Sequence, residues 1–314
     1  MFNSGRTDRR FRPQGQFMAS IHLTNLHPGK LRQASLGKTT VVTIALATFL
    51  SSAALAETKK EYRYTVGPNA NVSVDTQYGS ISVKPGNSDE VVVTATFKSD
   101  NVEIDQQQNG NRIEIDSHLL HGANQQAGHV DYELQVPPDA TVNLHSSNGP
   151  LSVERLKGDI TLEGSDAVVN VSNVENGHVY VQTMRGSITL TNVRNGHVEI
   201  ASISGDLNLK SVTGPMVQAC TGSGKIFYDG DFGSSGNYRF TTHSGDIEAL
   251  VSADVSADFR VHSVTGRVHH DFPLQPKHSQ FPVHLGRSFV GTSGKAASEV
   301  VLRSFSGKIR LKQR

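Results

Sequence analysis

Three aspartates follow turn glycines at the start of strand-like segments: Asp159 in KGDITL, Asp206 in SGDLNL and Asp246 in SGDIEA. Carboxylates gathered on one outer face, beside an arginine or lysine, are the equipment of a glycan-cleaving acid–base site. The turns between them carry Ser187 and Lys225, however, so the column is mixed, and aspartate is a favoured turn residue in any case. Two histidines, His178 in NGHVYV and His197 in NGHVEI, hold the same place 19 residues apart. In stacked strands they would lie about 4.8 Å from each other, close enough to share a metal or to respond together to pH. Pro215 in TGPMVQ takes the third such place and ends the column at two. The simpler expectation is a pair of solvated surface rings. His269 and His270 form another pair in sequence. Cys220, the single cysteine, can form no internal disulfide, and in MVQACTG it is expected to pack as a small apolar residue. There is no Gly-rich phosphate loop, HExxH, CxxC, GxSxG, EF-hand loop or GGxGxD array. No catalytic, cofactor-binding or metal-ligating residue is assigned, and the chain is expected not to be an enzyme.

The elements that would position these residues repeat. SNGPLSV, KGDITL, NGHVYV, RGSITL, NGHVEI, SGDLNL, TGPMVQ, SGKIFY, SGDIEA and TGRVHH follow one another from Gly149 to Gly266. Gly158, Gly177, Gly196 and Gly214 are 19, 19 and 18 apart, and Gly186, Gly205, Gly224, Gly245 and Gly266 are 19, 19, 21 and 21 apart. Within each unit apolar residues alternate with polar ones, as in Ile188 and Leu190 or Leu207 and Leu209, which marks a strand with one buried face. Val193 and Val212 follow their strands and fill the bend. The glycines, with Asn176 and Asn195 before two of them, are read as turn residues that accept positive φ. A unit of about 20 residues cannot bury a face alone and must stack on its neighbours. The expected fold is all-β: a single parallel β-solenoid with 19–21 residues per repeat, right-handed by the general preference of parallel connections. Two or three faces per coil both fit.

The ends differ. Residues 57–145 read as less regular strands of the same solenoid, 146–270 as the regular repeats, and 271–314 as a loop with Pro273, Pro276 and Pro282 followed by a closing coil through Gly307. LLHGANQQAGH (119–129) reads as an excursion. Residues 1–56 read as a basic tail and signal peptide. TTVVTIALATFLSSAALA (39–56) is apolar, follows Arg32 and Lys38, and ends in an Ala-x-Ala signature that predicts cleavage after Ala56. An uncleaved anchor is the alternative, and Met18 is a second candidate start. No cysteine follows the cleavage point, which argues against a lipoprotein. Residues 1–56 hold seven Lys/Arg and one acid, so the remainder holds 23 basic and 28 acidic side chains, a net charge of −5. A mildly acidic domain without a basic run argues against a nucleic-acid partner.

VPPDATVNLHSSNGPLSV, the serial SGDI, SGDL and SGKI turns and the terminal SFSGKIRL resemble the bacterial putative-adhesin domain family, over about residues 60–314. That family is similar to the head domain of auto-transporter adhesins. The resemblance implies an exported β-solenoid in the periplasm, at the cell surface or outside the cell, and supplies no catalytic residues. The expected role is an interaction or scaffold protein of the cell envelope, whose partner is an envelope or surface ligand such as a polysaccharide or a protein. The alternatives are a β-helix enzyme acting on polysaccharide and a self-assembling envelope element built on exposed strand edges.

Overall fold

The computed structural model describes residues 58–233, 235–271, 274–276 and 286–314. The signal segment with its cleavage point after Ala56, and Pro273 and Pro282 of the late loop, lie outside the described residues.

Alternating apolar residues make strands almost everywhere. The N-terminal strands are β1 (Thr58–Thr65), β2 (Asn71–Tyr78), β3 (Ile81–Pro85), β4 (Glu90–Phe97), β5 (Val102–Asn109), β6 (Arg112–Leu119), β7 (Val130–Val136), β8 (Thr141–Asn148) and β9 (Leu151–Glu154). The regular middle holds β10 (Ile160–Asp166), β11 (Val169–Glu175), β12 (Val179–Arg185), β13 (Ile188–Arg194), β14 (His197–Ser204), β15 (Leu207–Val212), β16 (Met216–Thr221), β17 (Ile226–Asp229), β18 (Asn237–Thr242) and β19 (Ile247–Val251). The last are β20 (Ala257–Ser263), β21 (Val268–His270), β22 (Gln275–Pro276), β23 (Ser288–Ser293), β24 (Ser298–Ser304) and β25 (Ile309–Gln313). The 119–129 excursion carries a single 3-10 turn, Gln125–Gly128.

The strands form two large, mainly parallel sheets. Sheet 1 has the order β1-β4-β7-β3-β9-β11-β13-β15-β17-β19-β25-β21, and sheet 2 the order β22-β23-β20-β24-β18-β16-β14-β12-β10-β8-β2-β6-β5. Each coil gives one strand to each sheet, so a coil has two faces. Among the described residues ten layers stack in parallel, about 43 Å at the usual strand spacing. Antiparallel strands cover the ends: β1 and β4 on sheet 1, β5 and β23 on sheet 2.

Layer order departs from chain order at both ends. The closing coil, β24 and β25, is not the outermost layer. It lies between the β18–β19 coil and the β20–β21 coil. At the other end the β2–β3 coil lies between β8–β9 and β6–β7. The closing coil and the β2–β3 coil are thus pinned as penultimate layers, where each strand has partners on both sides, whereas β1 is the edge strand of sheet 1.

Register places like on like. Ile188, Leu207 and Ile226 form one inward column of sheet 1, and Val179, Val198 and Val217 one of sheet 2; all are buried. Val174, Val193 and Val212 fill the bend, fully buried, after Asn173, Asn192 and Ser211 turn the chain with positive φ. In the C-terminal half the core becomes aromatic: Phe232 packs edge-on against Tyr238 and Phe259, and Tyr228 packs on Phe240. The Tyr238 hydroxyl donates to the Gly214 carbonyl, and burial pushes its pKa up to about 12.

The glycines have a different cause from the one their turn position suggests. Among the repeat glycines only Gly149 and Gly186 have φ in the left-handed range. The others are needed because each layer's carbonyl presses on the next layer's Cα. A Cβ on Gly205 would lie 1.9 Å from the Gly186 oxygen, on Gly224 1.8 Å from that of Gly205, on Gly245 1.7 Å from that of Gly224, and on Gly307 1.7 Å from that of Gly245. Gly158, Gly177, Gly196 and Gly214 form a second such column. Asn176 and Asn195 do adopt positive φ, as their turns require.

A buried hydroxyl column runs beside the first glycine column. Thr76, Ser146, Thr183, Ser202, Thr221, Thr242, Ser304 and Ser263 all face inward, three residues before a glycine. The Thr242 hydroxyl donates to the Gly224 carbonyl at 3.1 Å and accepts the Gly245 N–H at 3.0 Å. Thr221, Ser304 and Ser263 repeat this pattern in their own layers. Each of these four hydroxyls therefore ties its own turn to the adjacent layer. Thr242→Val is expected to cost about 2–3 kcal/mol by leaving a buried N–H and a buried carbonyl unpaired, while Thr242→Ser costs about 1 kcal/mol or less. Urea unfolding of the two variants checks this; equal stability of Val and Ser at 242 would show that the hydroxyl carries no bonds.

Candidate functional surface

The three aspartates do not form one column. Asp206 and Asp246 precede β15 and β19 of sheet 1, whereas Asp159 precedes β10 of sheet 2. Identical local motifs alternate between the sheets, so equivalence in sequence is not proximity in space. Each carboxylate instead accepts the backbone N–H of the turn in the adjacent layer: Asp159 that of His178 at 2.9 Å, Asp206 that of Lys225 at 2.8 Å, and Asp246 that of Lys308 at 2.7 Å. Asp131 holds the Ser80 N–H in the same way at 2.9 Å. Burial pushes the Asp131 carboxyl up, but the Ser80 hydroxyl and N–H and the neighbouring His129 outweigh it and hold the group below the usual range.

The His178 and His197 rings stack, with centroids 4.7 Å apart and planes 26° from parallel. The third position of their column is Met216, not Pro215, because His197 pairs with Met216 and Pro215 is an extra residue between Gly214 and the strand. Among the described residues no three His, Cys, Asp or Glu side chains group to hold a metal. His269 is exposed, whereas His270 turns toward Phe289, with ring centroids 4.7 Å apart, so adjacency in sequence separates this pair. Cys220 is exposed, not packed. In β16 the inward residues are Val217, Ala219 and Thr221, and strand parity puts Cys220 on the outside despite its apolar character.

The two outer faces differ. Sheet 1 presents Ser152, Asn170, Thr189 and Asn208 in one column, then Phe227, and ends in a charged cluster where Arg310 lies 3.4 Å from Asp246 and Lys312 lies 2.8 Å from Glu248. Sheet 2 is graded along its length. Its N-terminal layers carry Asp105, Glu114, Asp116, Asp75 and Glu163. Asp75, Asp116 and Glu163 line a shallow depression of about 360 Å³ with Ser73, Asn143, His145 and Thr161. Partial burial there, with Asp75, Glu114 and Asp105 close by, raises the Asp116 carboxyl above the usual range. The C-terminal layers carry Arg239, Arg303, Arg260 and His262 together with Asp258 and Glu299, both of which pair with Arg260. Tyr180, Met184 and Ile203 stand exposed on this same face, with Ile203 62 % exposed, and Phe305 and Val264 stand exposed in the turns that follow β24 and β20. The sequence signal for them is plain once parity is applied, since Met184, Ile203, Phe305 and Val264 each follow a ladder hydroxyl and precede a glycine by two.

Residues 69–312 match the Toastrack DUF4097 family. The chain belongs to that family. Solved structures similar to this Toastrack chain include a putative adhesin from Parabacteroides merdae, 13% identical, with a TM-score of 0.44, covering 82% of this chain and 96% of that one. A putative adhesin from Bacteroides fragilis is 12% identical, with a TM-score of 0.42, covering 82% and 98%. A putative lipid binding protein from Parabacteroides distasonis is 9% identical, with a TM-score of 0.30, covering 82% and 96%. A comparison of the Toastrack chain with curated proteins gives no match.

Proposed function

We propose that this Toastrack chain is an exported interaction protein of the cell envelope or surface, which binds through its outer faces and catalyses no reaction. In this reading residues 39–56 direct export, the domain begins at Glu57, and its coils of 19–21 residues wind right-handed. The observation that carries the proposal is the use of the repeating carboxylates. Asp159, Asp206 and Asp246 are each spent on a backbone N–H of the adjacent layer, and they are divided between two sheets. An acid–base pair needs two groups poised on either side of one bond. A binding platform needs only a long, regular surface, and both faces supply that. Among the described residues no helix is long and apolar enough to cross a membrane.

The test pairs binding with turnover. The purified protein is expected to release no product from pectin, alginate or peptidoglycan, while co-sedimentation with envelope fractions retains it. Asp206→Asn should leave retention unchanged, because its amide oxygen can still accept the Lys225 N–H. Cleavage of any of these polymers that Asp206→Asn abolished without lowering the melting temperature would replace this reading with the enzyme.

A further inference from the structure

We propose that the outer face of sheet 2 is a self-association surface, on which a second copy of the chain packs antiparallel about a two-fold axis between β12 and β14. The face is built for its own reversal. Ten parallel layers run from β6 to β20, five on each side of that axis. The two layers at its centre carry exposed Tyr180, Met184 and Ile203. Asp116 and Asp75 lie in the first and second layers, and Arg303 and Arg239 in the ninth and eighth. A two-fold rotation lays the second layer on the ninth, so that Asp75 faces Arg303, lays the first on the tenth, so that Asp116 faces the layer of Arg260 and His262, and brings the apolar centres together. An apolar centre inside a polar, charged rim is the usual anatomy of a protein interface. A ligand carrying one sign of charge would match only half of this face. The area is also sufficient: about 43 Å of stacked layers by about five residues at about 3.3 Å give roughly 710 Å², close to the roughly 800 Å² per partner of a stable complex. Isologous contact of this kind closes at two copies and leaves both sheet 1 faces free. The proposal does not depend on what the protein binds.

Sedimentation velocity on the purified protein tests it. The expected result is a dimer whose dissociation constant rises at least about tenfold between roughly 50 mM and 500 mM salt, since rim charges are screened. Asp75→Lys with Asp116→Lys makes both ends basic, and Arg239→Glu with Arg303→Glu makes both ends acidic. All four side chains are exposed, so both variants are expected to fold. Each should be monomeric alone, and an equimolar mixture should form heterodimers. Ile203→Ser, which alters no charge, should weaken the wild-type dimer at least about tenfold. A wild-type protein that stays monomeric at about 100 µM in low salt overturns the proposal, as it would if a glycan or another protein were the occupant of this face. Variants that dimerise as tightly alone as mixed, or an Ile203→Ser dimer as tight as wild type, overturn it equally.

Discussion

Gly245→Ala is expected to abolish the folded state. The new Cβ would lie 1.7 Å from the Gly224 carbonyl oxygen, 2.5 Å from its carbon and 3.0 Å from the Thr242 hydroxyl. None of these can yield cheaply. The Gly224 oxygen accepts the Thr242 hydroxyl, and the layers on both sides are held by continuous ladders. Relief would require the coils to part, which breaks several inter-strand bonds at once. The loss should exceed about 4 kcal/mol, a large share of the about 5–15 kcal/mol by which domains are stable. Gly110→Ala is the control. Gly110 has a φ of 60° and nothing within 4 Å of the added atom, so only the left-handed backbone is strained, at about 1–2 kcal/mol. Thermal and urea melts of the two variants separate the effects. Similar, modest losses at both sites would show that the glycine column is not sterically required.

Leu207→Asp should be nearly as damaging. Leu207 is fully buried, paired in register between Ile188 and Ile226 in a parallel sheet. An isolated carboxylate there has no partner in an apolar column and costs several kcal/mol, or takes up a proton instead. Ile188→Asp, one layer away, should behave alike. The adjacent outward positions define the contrast: Ser187→Ala should be nearly silent, and Asp206→Asn keeps an oxygen for the Lys225 N–H. If inward and outward substitutions lowered the melting temperature equally, the strand phase described here would be wrong.

Much of this was legible in the sequence, for a local reason. Strand parity is a property of two successive residues, so Ile188, Leu190, Leu207 and Leu209 announce their burial without knowledge of any partner. The repeat brings equivalent residues into register, and the stacking of His178 on His197 follows from their 19-residue separation once strands are known to stack. The same parity would have placed Cys220 outside, beside inward Ala219; its hydrophobicity pointed the wrong way. The hydroxyl column was legible too, as a Ser or Thr three residues before a glycine. Its function was not, because nothing local tells a turn hydroxyl in water from one bonded to the next layer.

What the sequence by itself determined is therefore the coil: an all-β, stacked repeat with its inward and outward residues assigned. What only the tertiary structure decided is which coil lies on which. Every layer offers the same unpaired edge and the same columns of glycine and apolar residues, so local pattern cannot tell β24 that its neighbours are β18 and β20, or β2 that its neighbours are β6 and β8. Long-range fit makes that choice, and the choice sets the surface. It gathers Asp75 with Asp116 at one end of sheet 2 and Arg239 with Arg303 at the other. A charge pattern on a solenoid is the sum of its layer order, and layer order is encoded in contacts between residues far apart in the chain.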